Sequence, residues 1–473
     1  MKKRNASIQS LSYQREGTAF LVERTAAGLF DEQGLGKTKQ LIDAIGRCVA
    51  DESLDGAVVV CPNHLKATWK EEIAKHAPQA VVVVLGSGKT ARRRALRNLR
   101  GMFYIVNYEA VASEGVVLEA LLRFKRFALV LDESHRIKSP TAGVTRAILS
   151  LRQHATRRYI LTGTPLANRP EDLWSQAFFL DGGDNLGTTF QEFARQYGNA
   201  RTGYVNLPQL NRRLEALSLR RTKASSLKLP QKRFSKVRTP LAPQQSAMYS
   251  KMRDETRLWV ESMSGEQVLE QADNILKRIV RLVQLVSNPG LIDASYSEEP
   301  GKFVALDRLV NQRLKTNSSY KLIIWSSFVD NVDLLRARYA AYGAVAIHGR
   351  ISRDRRERAV DRFRNDPGTR VLVANPAAAR EGLTLTSASM VVYVDRTFSL
   401  VDYLQSQDRI HRLGQTHPCE IVLLMAPRTV DEYVDFALEQ KSRVAQYVQR
   451  DRNQLDPQDA LFQKPALISA LLR

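Results

Sequence analysis

Short apolar runs alternate with stretches of helical periodicity along this chain, and the whole alternation occurs twice. In the first half the runs are Val58-Val59-Val60, Val81 to Leu85, Phe103 to Val106, Leu129-Val130-Leu131 and Tyr159-Ile160-Leu161. Between them, stretches such as Leu41 to Val49 and Ala67 to Ala74 carry apolar residues at helical spacing. The second half repeats the pattern with Leu322 to Trp325, Val345 to Ile347, Val371 to Ala374, Val391 to Val394 and Ile421 to Met425. A strand that is apolar at every position has both faces covered, and strands alternating with helices build a parallel sheet. Two α/β lobes are predicted, and 473 residues are enough for each to have its own core.

The connection between them differs from both. Lys228 to Pro243 holds three prolines and several basic residues without sustained apolar periodicity, which suits a hinge. Val268, Ala272, Ile275, Ile279, Leu282 and Val286 follow at spacings of 4, 3, 4, 3 and 4. That stripe predicts one amphipathic helix of about five turns ended by Asn288-Pro289-Gly290; three heptads are short for a coiled-coil partner, the alternative to packing within the chain.

Charge narrows the partner. Lys plus Arg number 71 against 49 Asp plus Glu, a net charge of +22. An excess of that size favours a polyanion, nucleic acid being the commonest, although composition alone leaves an anionic membrane surface open. The longest apolar runs, such as Ala80 to Leu85, fall far short of the roughly 20 residues a membrane span needs. Polar residues follow Met1-Lys2-Lys3-Arg4-Asn5 where a signal peptide would be apolar. Cys48, Cys61 and Cys419 stand too far apart for a disulfide framework or a zinc cluster. The expectation is a soluble, basic, cytoplasmic protein.

Three segments carry chemistry. Asp31-Glu32-Gln33-Gly34-Leu35-Gly36-Lys37-Thr38 lies between the apolar stretch Ala26 to Phe30 and a helical pattern. In that strand–loop–helix setting, Gly34 and Gly36 let backbone N–H groups close around phosphate oxygens, and the helix amino terminus adds positive charge. Lys37 would reach the β- and γ-phosphates of ATP, and Thr38 would ligate Mg²⁺. Asp31 stands where the strict Walker pattern has glycine. Leu129-Val130-Leu131 leads into Asp132-Glu133-Ser134-His135, so both acids sit at the carboxyl end of a buried strand, where open α/β sheets bind ligands. Asp132 would hold Mg²⁺, partly through water, and Glu133 would orient or deprotonate the attacking water. Finally, Gln405 to Gln415 places Arg409 and Arg412 three residues apart, on one face if helical. Such arginines supply positive charge where a phosphoryl transition state needs it.

These motifs together resemble the Snf (sucrose non-fermenting) family of superfamily-two helicase-like double-stranded DNA translocases, from Leu11 to Gln415. Leu11 to Gly17 resembles the family's adenine-reading element, which makes Gln14 the base contact. Val60-Cys61-Pro62 to Trp69 and Val106-Asn107-Tyr108-Glu109 resemble its nucleic-acid-contacting segments. Leu161 to Asn168 resembles the motif coupling hydrolysis to lobe movement, and Arg220-Arg221-Thr222-Lys223 with Leu229-Pro230 also fits. His411-Arg412-Leu413-Gly414-Gln415 is similar to the duplex-DNA branch, whereas RNA-directed relatives read arginine in the last place. Around Ala377 to Leu385 the chain departs: Ala379 and Arg380 replace paired glycines, Thr384 replaces an asparagine, and Gly382-Leu383-Thr384 is closer to the annealing-helicase branch.

The resemblance implies two RecA-like lobes with helical protrusions. The first would cover 1–235, with a protrusion at about 167–225; a second-lobe protrusion would cover 236–300 and the second lobe 301–473. ATP would lie between Lys37 and Asp132 on one side and Arg409 and Arg412 on the other, with Gly382 among the nucleotide-binding residues. The implied activity is an ATP- and Mg²⁺-dependent, sequence-nonspecific duplex-DNA translocase or remodeller, bacterial or phage-borne, without membrane association and with a separate protein partner. Rival readings are a strand-annealing or unwinding helicase and a nucleotide-gated nucleic-acid-binding adaptor without productive turnover. Two arginine clusters, Arg92 to Arg100 and Arg353 to Arg364, are either solvated helix faces or phosphate contacts that read no bases.

Overall fold

The computed structural model describes residues 10–86, 88–97, 99–166, 168–199, 203–378 and 383–456. They divide into two compact units, one running to Lys228 and rejoined by the segment from Arg443, the other running from Leu229 to Ser442.

The first unit is built on strands β1 (Ala26–Leu29), β2 (Gly56–Cys61), β3 (Val82–Val84), β4 (Phe103–Asn107), β5 (Phe127–Asp132), β6 (Arg157–Leu161) and β7 (Ser218–Leu219). They form one sheet in the order β3-β4-β2-β5-β6-β1-β7, and every pairing is parallel. Helices such as Lys37–Ala50 and Tyr108–Phe124 lie between successive strands. Val58, Val59 and Val60 are fully buried, which explains why β2 is apolar without interruption. Register then positions the site. Leu29 pairs with Leu161 on one side and Leu219 on the other, and Asp132 pairs with Leu161. The chain therefore leaves β1, β5, β6 and β7 along one edge of the sheet.

In the second unit, β8 (Lys232–Arg238), β9 (Leu322–Trp325), β10 (Val345–Ile347), β11 (Val371–Ala374), β12 (Met390–Tyr393) and β13 (Cys419–Met425) form another all-parallel sheet, ordered β8-β13-β12-β9-β11-β10. Both units thus carry the expected RecA-like α/β architecture.

Two local expectations change. The basic connection contains β8, which pairs with β13 over seven residues. Its side chains are mostly exposed, so an edge strand held by backbone hydrogen bonds needed no apolar alternation. The expected five-turn helix is two: Gly265–Glu270, then Ala272–Ser287 after a break at Gln271. Ile275, Ile279, Leu282 and Val286 are buried as the stripe requires, whereas Ala272 is exposed and Val268 half-buried. The longer helix packs on Pro243–Glu261, where the buried Gln245 amide donates to the carbonyls of Leu285 and Val286 at 2.8 and 3.2 Å.

Candidate active site

The loop between β1 and helix Lys37–Ala50 turns through Gly34 at φ +91° and Gly36 at φ +76°, left-handed values that favour glycine. Gly36 caps the helix amino terminus, so Lys37 and Thr38 open its first turn. A Cβ on Gly36 would come within 2.5 Å of the Gln14 Nε2 atom, so a side chain there would also displace the Gln14 amide. Gln14 donates to the Leu35 carbonyl at 3.4 Å and accepts from the Leu11 N–H at 3.1 Å; its amide thus ties the first helix, Ser12–Val22, to the loop. The Lys37 ammonium donates to the Asp31 carbonyl at 2.6 Å. Burial pulls its pKa down, while Glu133, Asp31 and Asp132 pull it back and Arg220 opposes them.

Asp132 and Glu133 stand beside this loop. Gln33 donates to Glu133 Oε1 at 3.2 Å, which links loop and acid directly. Glu133 adopts φ +52°, a left-handed turn at the strand exit that re-aims the chain. The Asp132 carboxylate accepts from Trp69 Nε1 at 2.8 Å and from the Glu133 N–H at 2.9 Å. Burial and the Glu133 charge push it up to about 6. Two adjacent acids, one held above its ordinary range, suit a divalent cation, because a cation relieves their repulsion. Among the described residues no three His, Cys, Asp or Glu are grouped to hold a metal. Thr38, at the start of the helix, and Asp132 are the residues that would hold Mg²⁺, an ion that keeps waters and substrate phosphates in its shell.

Several contributors were not singled out in the sequence. Asp31 is fully buried and forms an ion pair with Arg221 at 2.7 Å; Gln40 bonds both, and Arg221 also donates to the Tyr13 carbonyl. Asp31, in the place of a Walker glycine, thus anchors the start of the loop. Trp69 and Tyr108 belong to segments expected to meet nucleic acid, yet both are buried. Trp69 holds the Asp132 side chain, and the Tyr108 hydroxyl donates to the Asp132 carbonyl at 2.7 Å. Lys66 joins the same two segments, donating to Leu85 O at 2.8 Å and Asn107 Oδ1 at 3.3 Å. The only sequence signal for these roles was an aromatic residue inside each motif.

In the second unit, Arg409 and Arg412 both donate to the Leu383 carbonyl at 3.4 Å. They do not share a helical face. Helix Leu400–Gln407 ends before them: the Gln405 carbonyl accepts from Arg409 Nε at 2.9 Å, and the Arg409 N–H turns to the Ser406 carbonyl. Gln415 also donates to Ala388 O at 2.9 Å, and Arg364 donates to Thr384 O at 2.7 Å. Three guanidinium groups thus meet at residues 383–384. Burial draws the Arg412 pKa down, with Asp408 opposing and Arg364 reinforcing. Gly382, with Ala379 and Arg380, lies outside the described residues.

The basic clusters are mixed in role. Arg92 and Arg93 reach the buried Glu114 at 2.9 and 3.5 Å, and Arg353 pairs with Glu357 at 2.7 Å. Arg94, Arg97, Arg355 and Arg358 are exposed.

Comparison with known proteins identifies the family. A family model described as the SNF2-related domain matches residues 13–291, and one described as the helicase conserved C-terminal domain matches 301–414. An uncharacterized ATP-dependent helicase of Mycoplasma pneumoniae is 28% identical over 435 residues, covering 89% of this chain and 40% of that protein. Chromodomain-helicase-DNA-binding protein 1-like of Mus musculus is 28% identical over 449 residues, covering 90% of this chain and 48% of that protein. DNA annealing helicase and endonuclease ZRANB3 of Homo sapiens is 28% identical over 458 residues, covering 92% and 40%. The chain spans less than half the length of these relatives. A solved Sulfolobus solfataricus SWI2/SNF2 ATPase core in complex with dsDNA aligns over 100% of this chain and 98% of that one, at 24% identity and a TM-score of 0.45. With more than half of its residues matched by the first family model, the chain belongs to the SNF2-related family.

Proposed function

We propose that this chain is an ATP-dependent, sequence-nonspecific duplex-DNA translocase or remodeller that hydrolyses ATP to ADP and phosphate. The observation that carries the reading is the grouping of Lys37, Asp132 and Glu133 around a glycine loop, where parallel strands β1 and β5 end. Backbone N–H groups at Gly34 and Gly36 and the Lys37 ammonium bind the β- and γ-phosphates. Thr38 and Asp132 hold Mg²⁺, which neutralises phosphate charge when bound. Glu133, fixed by Gln33, orients the attacking water and takes its proton. Arg409 and Arg412 are assigned the charge that develops on the transferred phosphoryl group.

Duplex DNA is the proposed track. Its support is the net charge of +22, the exposed arginines on two helices, and the DNA-directed names of the relatives. Among the described residues no helix is long and apolar enough to cross a membrane, and the cytoplasm is the proposed compartment, with pathway choice left to a separate protein partner.

The test is ATP turnover measured with duplex, single-stranded and forked DNA and with RNA, followed by displacement of a triplex-forming strand. Duplex stimulation with triplex displacement is expected. Stimulation by RNA alone overturns the substrate; annealing or unwinding of forks without triplex displacement overturns translocation in favour of a strand-annealing or unwinding helicase. Absence of turnover with every nucleic acid leaves a nucleotide-gated adaptor.

A further inference from the structure

We propose that Arg220 is a positioning residue of the nucleotide site, and that Asp451, which follows the carboxyl-terminal helix, holds it there. The inference rests on reading Lys37, Asp132 and Glu133 as the ATP site, and it adds a control point to that site. Arg220 lies just past β7, whose pairing with β1 sets Leu219 beside Leu29. One guanidinium nitrogen, Nη1, donates both to the Phe30 carbonyl at 2.5 Å and to the Gly163 carbonyl at 3.0 Å. These two carbonyls follow the ends of β1 and β6; their dipoles repel, and a shared cationic donor holds them together. The other two nitrogens face Asp451 as a fork, Nε to Oδ1 at 3.0 Å and Nη2 to Oδ2 at 2.6 Å. Only 14% and 16% of the two side chains is exposed. A planar five-donor group can make all four bonds at once, whereas lysine cannot.

The bridge reaches the reacting groups through Gly163. A Cβ there would lie 2.9 Å from Gln33 Cγ and 3.5 Å from Lys37 Nζ, so the Gly163 backbone abuts both residues. Gln33 in turn holds Glu133. Drawing Gly163 away from Phe30 therefore loosens the general base and the phosphate-binding lysine together. The Asp451 segment is held by apolar burial as well as polar bonds: Val444, Ala445 and Val448 are buried. Asn211 donates to the Tyr447 carbonyl at 2.7 Å, Arg450 pairs with Glu215 at 2.6 Å, and a cavity of about 370 Å³ separates part of the segment from β7.

The experiment compares Asp451→Asn, Asp451→Glu, Arg220→Lys and Arg220→Gln with wild type, using Arg450→Ala as a control for general loosening of the segment. Backbone hydrogen exchange is read at residues 30–36 and 162–166 without nucleotide, and kcat and nucleotide affinity are measured separately. Asp451→Asn and both Arg220 variants are expected to speed exchange in both segments by about tenfold, the loss of one charge-assisted bond. They should lower kcat by about tenfold while nucleotide affinity changes less than about threefold. Asp451→Glu should restore kcat, and Arg450→Ala should change neither readout. Wild-type exchange in Asp451→Asn and Arg220→Gln overturns the proposal, as does an equal effect of Arg450→Ala. If the wild-type protein hydrolyses no ATP, the ATPase reading falls and the exchange data alone decide the role of Arg220.

Discussion

Replacing Asp132 with asparagine should make the first unit more stable at neutral pH relative to wild type, even as it removes turnover. Burial and the Glu133 charge raise the Asp132 carboxyl from 3.8 to about 6, so the folded protein holds this proton more tightly than the unfolded chain. The stability this group contributes is fully present below 3.8 and is lost as pH rises to about 6. At roughly 1.4 kcal/mol per pH unit, the loss by pH 7.5 is about 3 kcal/mol. Most of that, about 2 kcal/mol, falls between pH 4 and pH 7.5. Asparagine has no such loss, but it presents an NH₂ group to one of two donors, Trp69 Nε1 or the Glu133 N–H. That mismatch costs about 1–3 kcal/mol at both pH values and cancels when the two are compared. The assay is urea unfolding in Mg²⁺-free buffer at pH 4 and pH 7.5, followed by tryptophan fluorescence in a Trp259→Phe, Trp325→Phe background, in which Trp69 and Trp174 report the first unit. The variant's stability relative to wild type should rise by about 2 kcal/mol from the lower to the higher pH. A difference that stays constant, or one that falls, refutes the view that Asp132 is held ionised against the preference of its surroundings.

Lys37→Ala should lower ATP turnover by at least about a hundredfold, with duplex-DNA affinity within about twofold of wild type in a filter-binding titration. Glu133→Gln should retain nucleotide in equilibrium dialysis yet stall at hydrolysis, because the amide cannot take a proton from water. Arg412→Ala should cost about 10³-fold in kcat with a much smaller change in nucleotide affinity; full activity in single-turnover measurements would remove it from the site. Duplex binding should weaken about 10³-fold or more between 50 and 200 mM salt, and a flat salt dependence would show that phosphate contacts do not drive it.

Much of this protein is legible along the chain. Val58 to Val60 and Ile323 to Trp325 are apolar at consecutive positions because each strand is covered on both faces, and that pattern alone marks the two parallel sheets. Gly34, Gly36 and Lys37 between a strand and a helix, and Asp132-Glu133 after a buried strand, are local arrangements whose chemistry follows from order along the chain. Strand Lys232–Arg238 escaped because it is held mainly by backbone hydrogen bonds and most of its side chains are exposed, and the break at Gln271 escaped because apolar spacing persists across it. The supports of the site were also invisible. Trp69 is 63 residues from Asp132, Arg221 is 190 from Asp31, and Arg220 is 231 from Asp451.

Side-chain periodicity and backbone freedom are properties of neighbours in sequence, so composition along the chain determined the lobes, the loop and the acids at the strand ends. Which arginine meets which carboxylate or carbonyl depends on distances that exist only after the sheets have formed. The Asp31–Arg221 pair, the indole bond to Asp132 and the meeting of Arg364, Arg409 and Arg412 at residues 383–384 were therefore decided by tertiary structure, because a charge gains from its partner only when folding removes the water between them.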